Sequence, residues 1–356
     1  MADKRLLRGA LVAILFTVFV TLTVRVVQVI YTDSSNSNEF GDDKRIKVGF
    51  SLGTLKEERW IKDRDILMAK VKEMGADIIV QNANNDDQDQ LKQVRYLLGQ
   101  DIDVLILVPN DHNKAVEAVE LAKKNGVKVI SYDRLVLNSN VDLYISFDNT
   151  RVGEIMAQYV LENSPVGSNI LIVNGATSDH NTMMIKRGYD KVLKSKVAEG
   201  AASIIKEEWA PNWMKEYAFN ITDELLREGA KIDAVIAGND GLADGVIEAL
   251  SLYRTAGNTL VVGQDADLVA CQRIVEGTQH MTVYKPIEKL AGAAASMAIQ
   301  LAKDGPLTNI VNTINDGTYN VPYYKLEPIP VNIHNLEETI IKDGFHMVDE
   351  IYRNNN

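Results

Sequence analysis

The chain has 356 residues, of which 46% are hydrophobic, so it can bury a sizeable core in one large α/β domain or in two lobes of ordinary size. Its formal net charge of −11 argues against a nucleic-acid-binding surface. Cys271 is the only cysteine, which excludes a disulfide within the chain, and the five histidines are scattered without the spacing of a zinc site. We therefore expect no metal and no cofactor.

The first thirty residues have the pattern of a membrane segment. Three basic residues within the first eight precede an uncharged run over residues 9–24, and the apolar character continues past Arg25 to Tyr31. This length covers a hydrocarbon core of about 30 Å if the Arg25 side chain extends toward the headgroups. Positive charge before the segment and acidic residues after it predict an N-terminus inside the cell and the bulk of the chain outside.

Three interpretations of this segment compete: a cleaved signal peptide, a lipoprotein signal and a retained anchor. A lipoprotein signal requires a cysteine just after the apolar run, and none is present. Cleavage requires a small-x-small site, which residues 26–31 lack, and cleavage further along in the Ser/Asn-rich stretch is the alternative. We favour a single-pass anchor over residues 1–31 and a flexible tether over residues 32–45, with the rest at the outer face of the cell membrane.

Strand-like and helical segments alternate from Ile46 onward. Five strand-like runs come first, with helical stretches near residues 57–75, 86–99 and 112–125: IKVGFSL, ADIIVQ, DVLILVP, VKVISYD and LYISFD. Five more follow from Asn169: NILIVNG, SIIKEEW, DAVIAGN, TLVVGQD and MTVYK. This alternation predicts an α/β fold with parallel sheets and right-handed crossovers.

Two groups of five strands favour two doubly wound parallel-sheet lobes over the alternative, a closed (β/α)₈ barrel, which has eight strands. The proline-rich stretch over residues 320–332 is predicted to be extended and to cross between the lobes. Ligands of open α/β sheets bind in the crevice outside the carboxyl ends of the strands.

Polar residues stand where several of the strand-like runs stop. They are Asp133-Arg134, Asn174, Asn239-Asp240, Asp265 and Lys285. Because such strand ends meet at one edge of a sheet, these residues predict a site for a small molecule. Structural roles are the alternative for each of them, since Asp and Asn often cap helices or shape turns.

Five segments of the chain resemble a known family. They are Leu55–Asp65, Tyr132-Asp133-Arg134, Tyr144–Asn149, Gly263–Leu268 and Gly277–Pro286. Together they resemble the D-xylose-binding proteins of the type I periplasmic sugar-binding family, and the resemblance runs from about Ile46 to Phe345. Gln-Asp-Ala-Asp-Leu and Met-Thr-Val-Tyr-Lys-Pro are specific to the xylose branch.

The resemblance implies two lobes joined by a hinge of three crossings, near Arg151, Pro286 and residues 327–330, that close on a pyranose. It implies an N-terminal lobe of residues 46–151 plus 287–327 and a C-terminal lobe of residues 152–286 plus 328–350. The implied ligand-binding residues are Arg59, Trp60, Asp133, Arg134, Asp179, Asn181, Trp213, Asn239, Asp265 and Lys285.

The chain departs from the family pattern at three places. His180 stands where an amide side chain is more usual, and the match over residues 209–213 is weaker, which affects the choice of Trp213. Gly53-Thr54 replaces acidic residues at the mouth of the first lobe.

The residue types themselves suit a sugar. Carboxylates accept hydrogen bonds from adjacent hydroxyls, and Arg, Lys and Asn donate in return. Trp60 and Trp213 can lie flat against the C–H faces of the ring, and their bulk is expected to exclude the extra carbon of a hexose. A site built for particular hydroxyls rejects an epimer because its own buried groups would go unpaired.

A non-enzymatic sugar receptor is the favoured function. An enzyme is the first alternative, with Asp133 and Asp265 as a glycosidase pair or Lys285 as a Schiff-base lysine, but the strand count does not fit the barrel such enzymes use. A transcription regulator would need a helix-turn-helix where this chain has apolar sequence.

The partner of the closed receptor is expected to be a protein at the membrane. The missing lipidation cysteine makes the chain similar to membrane-tethered xylose sensors, whose closed form docks on the extracytoplasmic part of a sensor histidine kinase. The alternative is the xylose-binding subunit of an ABC sugar transporter.

Overall fold

The computed structural model describes Thr21, Thr23 and residues 45–308 and 310–353. The anchor predicted over residues 1–31 and the tether over 32–45 lie outside the described residues, except for those two threonines and Arg45. Among the described residues, no helix is both long enough and apolar enough to cross a membrane.

Residues 45–147 form five strands and three helices. They are β1 (Lys47–Leu52), α1 (Glu58–Glu73), β2 (Asp77–Asn82), α2 (Asp87–Leu98), β3 (Val104–Val108), α3 (Val116–Lys124), β4 (Lys128–Tyr132) and β5 (Leu143–Phe147). Helix α2 begins at a side-chain cap, since Asp86 accepts a hydrogen bond from the Asp89 N–H.

A second alternating series follows. It comprises α4 (Asn149–Asn163), β6 (Ser168–Asn174), α5 (His180–Ala198), β7 (Ala202–Trp209), a 3₁₀ turn (Pro211–Trp213), α6 (Lys215–Arg227), β8 (Ala234–Ala237), α7 (Asp240–Leu252), β9 (Leu260–Gln264), α8 (Leu268–Glu276) and β10 (Met281–Tyr284). The last elements are α9 (Ile287–Ala302), β11 (Asn312–Asn315), β12 (Asn320–Leu326), β13 (Ile329–Val331), a π-helical turn (Glu337–Ile341) and α10 (Val348–Ile351).

The strands form two sheets. The first has the order β11-β12-β5-β4-β3-β1-β2 and the second β13-β10-β9-β8-β6-β7. Within each sheet the five-strand series pairs in parallel, and the strand order reverses beside β1 in the first sheet and beside β6 in the second. These are the switch points at which doubly wound folds bind ligands.

The sheets contain more strands than the two groups of five expected from the sequence. β11 and β12 extend the first sheet, and β13 extends the second. β11 pairs with β12 and β13 pairs with β10 in antiparallel fashion, which corrects the expectation of purely parallel sheets. β11 has the sequence NTIN, which is short and mostly exposed, so it lacks the apolar pattern that marks a buried strand.

The third helix also differs from its prediction over residues 112–125, because it begins at Val116. Before it, the Asp111 carboxylate accepts hydrogen bonds from the backbone N–H groups of Asn113 and Lys114. This local turn competes with the helix for the same backbone donors and delays its start.

Each sheet has helices on both faces. Helices α1 and α9 pack over one face of the first sheet, and α4 and α5 cover one face of the second. Strand β3, with the sequence VLILV, is buried along its whole length, as expected for a parallel strand covered on both sides. A further cluster packs the C-terminal segment against α8 and β10 of the second sheet.

We call the first sheet with its helices the N-terminal lobe and the second sheet, with the C-terminal segment, the C-terminal lobe. The chain passes between them after β5, after β10 and after β12. The residue boundaries given above for the lobes stay a prediction.

Candidate functional site

A small cavity lies where strand ends of the two lobes face each other. Residues of both lobes line it: Glu57, Arg59, Trp60, Asp133, Arg134, Asn149, Asp179, Asn181, Trp213, Asn239, Gln264, Asp265 and Lys285. The structure therefore brings all ten residues named from the sequence together around one space. That they bind a ligand is the proposal made below.

Arg59, on the first turn of α1, is the charged centre of the cavity. Its Nη1 lies 3.2 Å from Asp265 Oδ1, its Nη2 lies 3.2 Å from Asp133 Oδ1, and its Nε donates to Asp63 Oδ2 at 3.3 Å. Burial works against the charged form, but the carboxylates of Asp133, Asp63 and Asp265 raise the pKa of Arg59 well above its usual value. A buried cation thus reaches acids of both lobes.

Asp63 contacts and orients Arg59 from outside the cavity. Tyr132 donates a hydrogen bond to Asp63, and the carboxyl is completely buried. Burial raises the pKa of Asp63 to about 6, although Arg59 and the Tyr132 hydroxyl act in the opposite direction. Asp63 does not line the cavity and supports it from behind.

Asp265 and Lys285 form an ion pair in the C-terminal lobe, with Lys285 Nζ 2.6 Å from Asp265 Oδ1. Burial raises the pKa of Asp265, but Lys285 and Arg59 outweigh it and hold that pKa below its usual range. Asp265 is therefore a carboxylate that accepts hydrogen bonds. Lys285 is only 4% exposed, which rules out its alternative role as a solvated strand end.

Arg134 and Asp179 pair across the cavity from opposite lobes, with 2.8 Å between Arg134 Nε and Asp179 Oδ2. Burial raises the pKa of Asp179, and Arg134 opposes that rise. Asp179 also accepts a hydrogen bond from the Asn181 N–H at 2.9 Å, so it caps α5 as well as facing the cavity. The structural and binding interpretations of this residue are compatible.

Two tryptophans lie at the cavity. Trp60 is buried, with the guanidinium of Arg59 4.4 Å and that of Arg134 5.1 Å from the ring centroid. Trp213 follows a sharp turn after β7 and is half-buried. A Cβ on Gly175 would lie 2.1 Å from the Trp213 indole, so the glycine is what admits this ring beside β6.

Asp133 and Asp265 occupy left-handed backbone conformations, with φ of 59° and 101°. Such conformations cost about 1–3 kcal/mol each and persist where neighbouring contacts hold them. The Asp133 carbonyl accepts hydrogen bonds from the Tyr144 and Ser146 hydroxyls and from Asn181 Nδ2. Neither aspartate caps a helix, in contrast to the alternative drawn from the sequence, whereas Asn239 does cap α7.

Several buried polar atoms of the cavity residues have no hydrogen-bond partner within the described residues. Outside the ion pairs, they are Glu57 Oε2, Asn149 Oδ1, Trp213 Nε1 and Gln264 Oε1. A buried donor or acceptor left unsatisfied costs about 1–3 kcal/mol. The arrangement is therefore suited to a ligand that carries several hydroxyls.

The sequence interpretation missed three cavity residues, Glu57, Asn149 and Gln264. Gln264 is the last residue of β9 and Asn149 the first of α4, so the strand-end rule would have found both. It did name Asn174 and Asp240, which do not line the cavity. Asn174 donates to Glu207, and Asp240 is buried with Thr282 and Gln279.

The structure places the departures at Gly53 and His180 outside the cavity lining. A Cβ on Gly53 would lie 2.8 Å from the Asn110 Cα, so this position requires glycine. His180 lies outside the cavity, with its ring 6.0 Å from that of His112. Burial, then the charges of Arg187 and His112, lower the pKa of His180 to about 4.

The fold and the cavity define a two-lobed binding protein for a small polar molecule. Comparisons with known proteins specify it further. Residues 48–306 match the family described as "Periplasmic binding protein domain". The D-xylose-binding periplasmic protein of Haemophilus influenzae is 42% identical, covering 87% of this chain and 93% of the relative. That of Escherichia coli is 40% identical, covering 86% of this chain and 93% of the relative.

A solved structure agrees with these relatives. An ABC transporter solute-binding protein from Clostridium phytofermentans with bound β-D-glucose has a TM-score of 0.79 and 28% identity, covering 86% of this chain and 99% of that one. The chain belongs to the family of periplasmic sugar-binding proteins. It is a binding protein and not an enzyme, and its family is extracytoplasmic.

Proposed function

We propose that the protein is an extracytoplasmic receptor for D-xylose whose two lobes close on the sugar. The observation that carries the proposal is the convergence of buried acids, bases and two indoles from both lobes on one small cavity. Two relatives at 40% identity or more are named for D-xylose, which supports this sugar over others.

The ten residues predicted from the sequence are assigned to the ligand. Asp133 and Asp265 accept hydrogen bonds from adjacent hydroxyls, and the Arg59 and Lys285 cations hold the Asp265 carboxylate and donate in return. The indole rings of Trp60 and Trp213 contact the C–H faces of the sugar. The unpaired Asn149 and Gln264 oxygens extend the assigned set beyond the sequence prediction.

Ion pairs between the lobes favour the closed state. Arg59 and Arg134 of the N-terminal lobe pair with Asp265 and Asp179 of the C-terminal lobe. Opening separates these charges into water, and a sugar that contacts both lobes stabilises the closed state by its differential affinity. The three passages between the sheets, at residues 148, 285–286 and 327–328, act as the hinge.

Calorimetric titration of the full-length chain in detergent, against a panel of pentoses and hexoses, tests the ligand. D-xylose is expected to bind most tightly, and glucose more weakly because the indoles leave no room for its extra carbon. Glucose binding as tight as xylose would contradict this exclusion, and the absence of xylose binding would contradict the proposed function.

The use of the bound sugar is a separate question. Relatives named for import, such as the ribose import binding protein of Bacillus subtilis at 25% identity, and the solved solute-binding proteins of ABC transporters favour delivery to a transporter. Signalling to a sensor histidine kinase is the second candidate, and the observation that favours it is the lack of a cysteine for lipid attachment.

Co-purification distinguishes the two partners. The full-length chain, isolated from membranes with saturating xylose, is expected to retain a transporter permease if it delivers sugar, or a histidine kinase if it signals. Retention of the kinase alone would overturn the transporter assignment.

We also infer that residues 1–31 anchor the protein to the cell membrane, from their charge and hydrophobic pattern. Membrane fractionation is expected to find the full-length chain in the pellet and to require detergent for its release. Release by salt or alkaline washing would contradict an anchor that spans the bilayer.

A further inference from the structure

Helix α1 carries two charged residues, one turn apart, that contact the C-terminal lobe outside the cavity. Glu58 Oε2 accepts a hydrogen bond from the Leu268 N–H at 3.1 Å, at the first residue of α8. Lys62 Nζ donates to the Phe345 carbonyl at 3.0 Å. Neither residue lines the cavity, although both lie within one turn of Arg59.

Three hydrogen-bond acceptors surround the Lys62 ammonium, one for each of its N–H groups. Besides the Phe345 carbonyl, it faces His346 Nδ1 at 3.1 Å and Glu58 Oε1 at 3.2 Å. The ammonium also lies 4.0 Å from the centroid of the Phe345 ring. An ammonium carries three N–H groups, so this position satisfies all of them with partners from both lobes.

The contacts of His346 fix its protonation state. Its Nε2 lies 2.7 Å from the Ala266 carbonyl oxygen, which only accepts, so Nε2 carries the hydrogen. Lys62 only donates, so Nδ1 must be bare. The imidazole is therefore neutral in this arrangement, and it is only 3% exposed.

The environment of His346, taken as a whole, also favours the neutral imidazole. Burial, and then the Lys62 charge, lower the pKa of His346 below its usual value. Glu58 on α1 and Glu350 on α10 are the other charged groups that face it, and they act in the opposite direction. Protonation of Nδ1 would remove an acceptor from Lys62 and place two cations in contact.

This histidine also holds the turn that carries Asp265. Ala266 follows Asp265, and both have left-handed backbones, with φ of 55° and 101°. The Ala266 N–H donates to Thr282 Oγ1, and its carbonyl accepts from His346. Asp265, which pairs with Arg59, therefore lies on a strained turn. The next residue of this turn, Ala266, is hydrogen-bonded to His346 of the C-terminal segment.

We propose that Glu58, Lys62, Phe345 and His346 form a latch that holds the lobes closed on the ligand and positions Asp265, and that the latch engages only with a neutral His346. The proposal rests on the proposed function, because it assigns the latch to closure on a sugar. Lys62 and His346 are positioning residues that act through the lobes and through Asp265. When the lobes open, Lys62 moves away from His346 Nδ1, and this nitrogen can then take up a proton. Acidification therefore stabilises the open state and weakens ligand binding.

The test is the dissociation constant of the full-length chain in detergent at pH 7.5 and pH 5.5, using the tightest-binding sugar of the panel. The wild-type constant is expected to rise on acidification by at least about twofold more than that of His346→Gln, because in the wild type closure must expel the proton that the open state takes up at Nδ1. Glutamine keeps a donor for Ala266 and does not titrate. The matched control His334→Gln, at an exposed histidine of the same segment, is expected to retain the wild-type response.

A second variant removes the lysine. Lys62→Met is expected to bind about tenfold more weakly at pH 7.5, as for a lost hydrogen bond to a charged group, and to show the flattened pH response of His346→Gln. Lys72→Met, at an exposed lysine of the same helix, is the control. Lys62 is 27% exposed, so its replacement does not depend on refilling a core.

Two results would overturn the latch: equal pH responses of wild type and His346→Gln, or equal affinities of Lys62→Met and Lys72→Met. A preference for a sugar other than xylose would contradict the proposed ligand while leaving both comparisons valid. The two failures are therefore distinguishable.

Discussion

Arg134 of the N-terminal lobe and Asp179 of the C-terminal lobe lie 2.8 Å apart, Nε to Oδ2, and both side chains are more than nine-tenths buried. Replacing one partner leaves the other charge buried and unpaired, which typically costs about 2–5 kcal/mol in a closed interface. Asp179→Asn is therefore expected to weaken xylose binding at least about thirtyfold in calorimetry.

The control for this change is Asp190→Asn on the same helix, whose carboxylate pairs with Lys186 at the surface. Surface pairs contribute about 0–1 kcal/mol, so this variant is expected to bind as the wild type does. Equal affinities of the two variants would show that the pair across the cavity does not hold the lobes together.

Gly175→Ala tests the position of Trp213 without changing a residue that contacts the ligand. The new Cβ would lie 2.1 Å from the indole and displace it. Overpacking of this kind costs about 1–3 kcal/mol, so binding is expected to weaken by about tenfold, with a changed tryptophan fluorescence.

Gly292→Ala, on α9, is the matched control, because a Cβ there meets no atom within 4 Å. It is expected to bind normally and to be no less stable than the wild type. Unchanged affinity and fluorescence in Gly175→Ala would mean that Trp213 has no part in the site.

The buried carboxyl of Asp240 predicts a pH dependence of stability. Burial, and then the charge of Asp265, raise the pKa of Asp240 to about 8. At pH values between the usual carboxyl pKa and about 8, Asp240 keeps its proton in the folded chain and has lost it in the unfolded chain. The contribution of Asp240 to the free energy of unfolding therefore falls as the pH rises through this range.

Asp240→Asn removes that titration, and its unfolding temperature is expected to fall less than that of the wild type between pH 5 and pH 8. Thermal unfolding followed by circular dichroism across this range measures the difference. Parallel curves for the two proteins would contradict a protonated Asp240.

The contribution of Asp63 is also measurable. Asp63→Asn removes one acid from Arg59 and keeps the shape of the side chain, and we expect it to weaken xylose binding while the protein stays folded. Asp65→Asn, an exposed acid on the same helix, is the control. Equal xylose affinities of Asp63→Asn and Asp65→Asn would show that the contact of Asp63 with Arg59 does not contribute to binding.

Local rules predicted part of this cavity from the sequence, and the resemblance to the sugar-binding family implied the remaining site residues. Asp133, Asp265 and Lys285 end apolar runs, and the carboxyl ends of parallel strands meet at one edge of a sheet. Gln264 and Asn149 obey the same rule and were overlooked beside charged neighbours. Asp63 was within reach as well, since it lies four residues from Arg59 on one face of α1.

Other features were beyond local pattern. β11 is short and polar, and only its partner β12 makes it a strand. Lys62 and His346 lie 284 positions apart in the chain, so their contact appears only once the C-terminal segment has folded onto α8 and β10. Periodicity and motif spacing carry no information on such contacts.

A crystal structure of the full-length chain with saturating D-xylose tests the central claim most directly. One pyranose is expected in the cavity, between Trp60 and Trp213, with hydroxyls within hydrogen-bond distance of Asp133 and Asp265. Xylose bound elsewhere, or a closed cavity without it, would contradict the proposed binding of the sugar between the lobes.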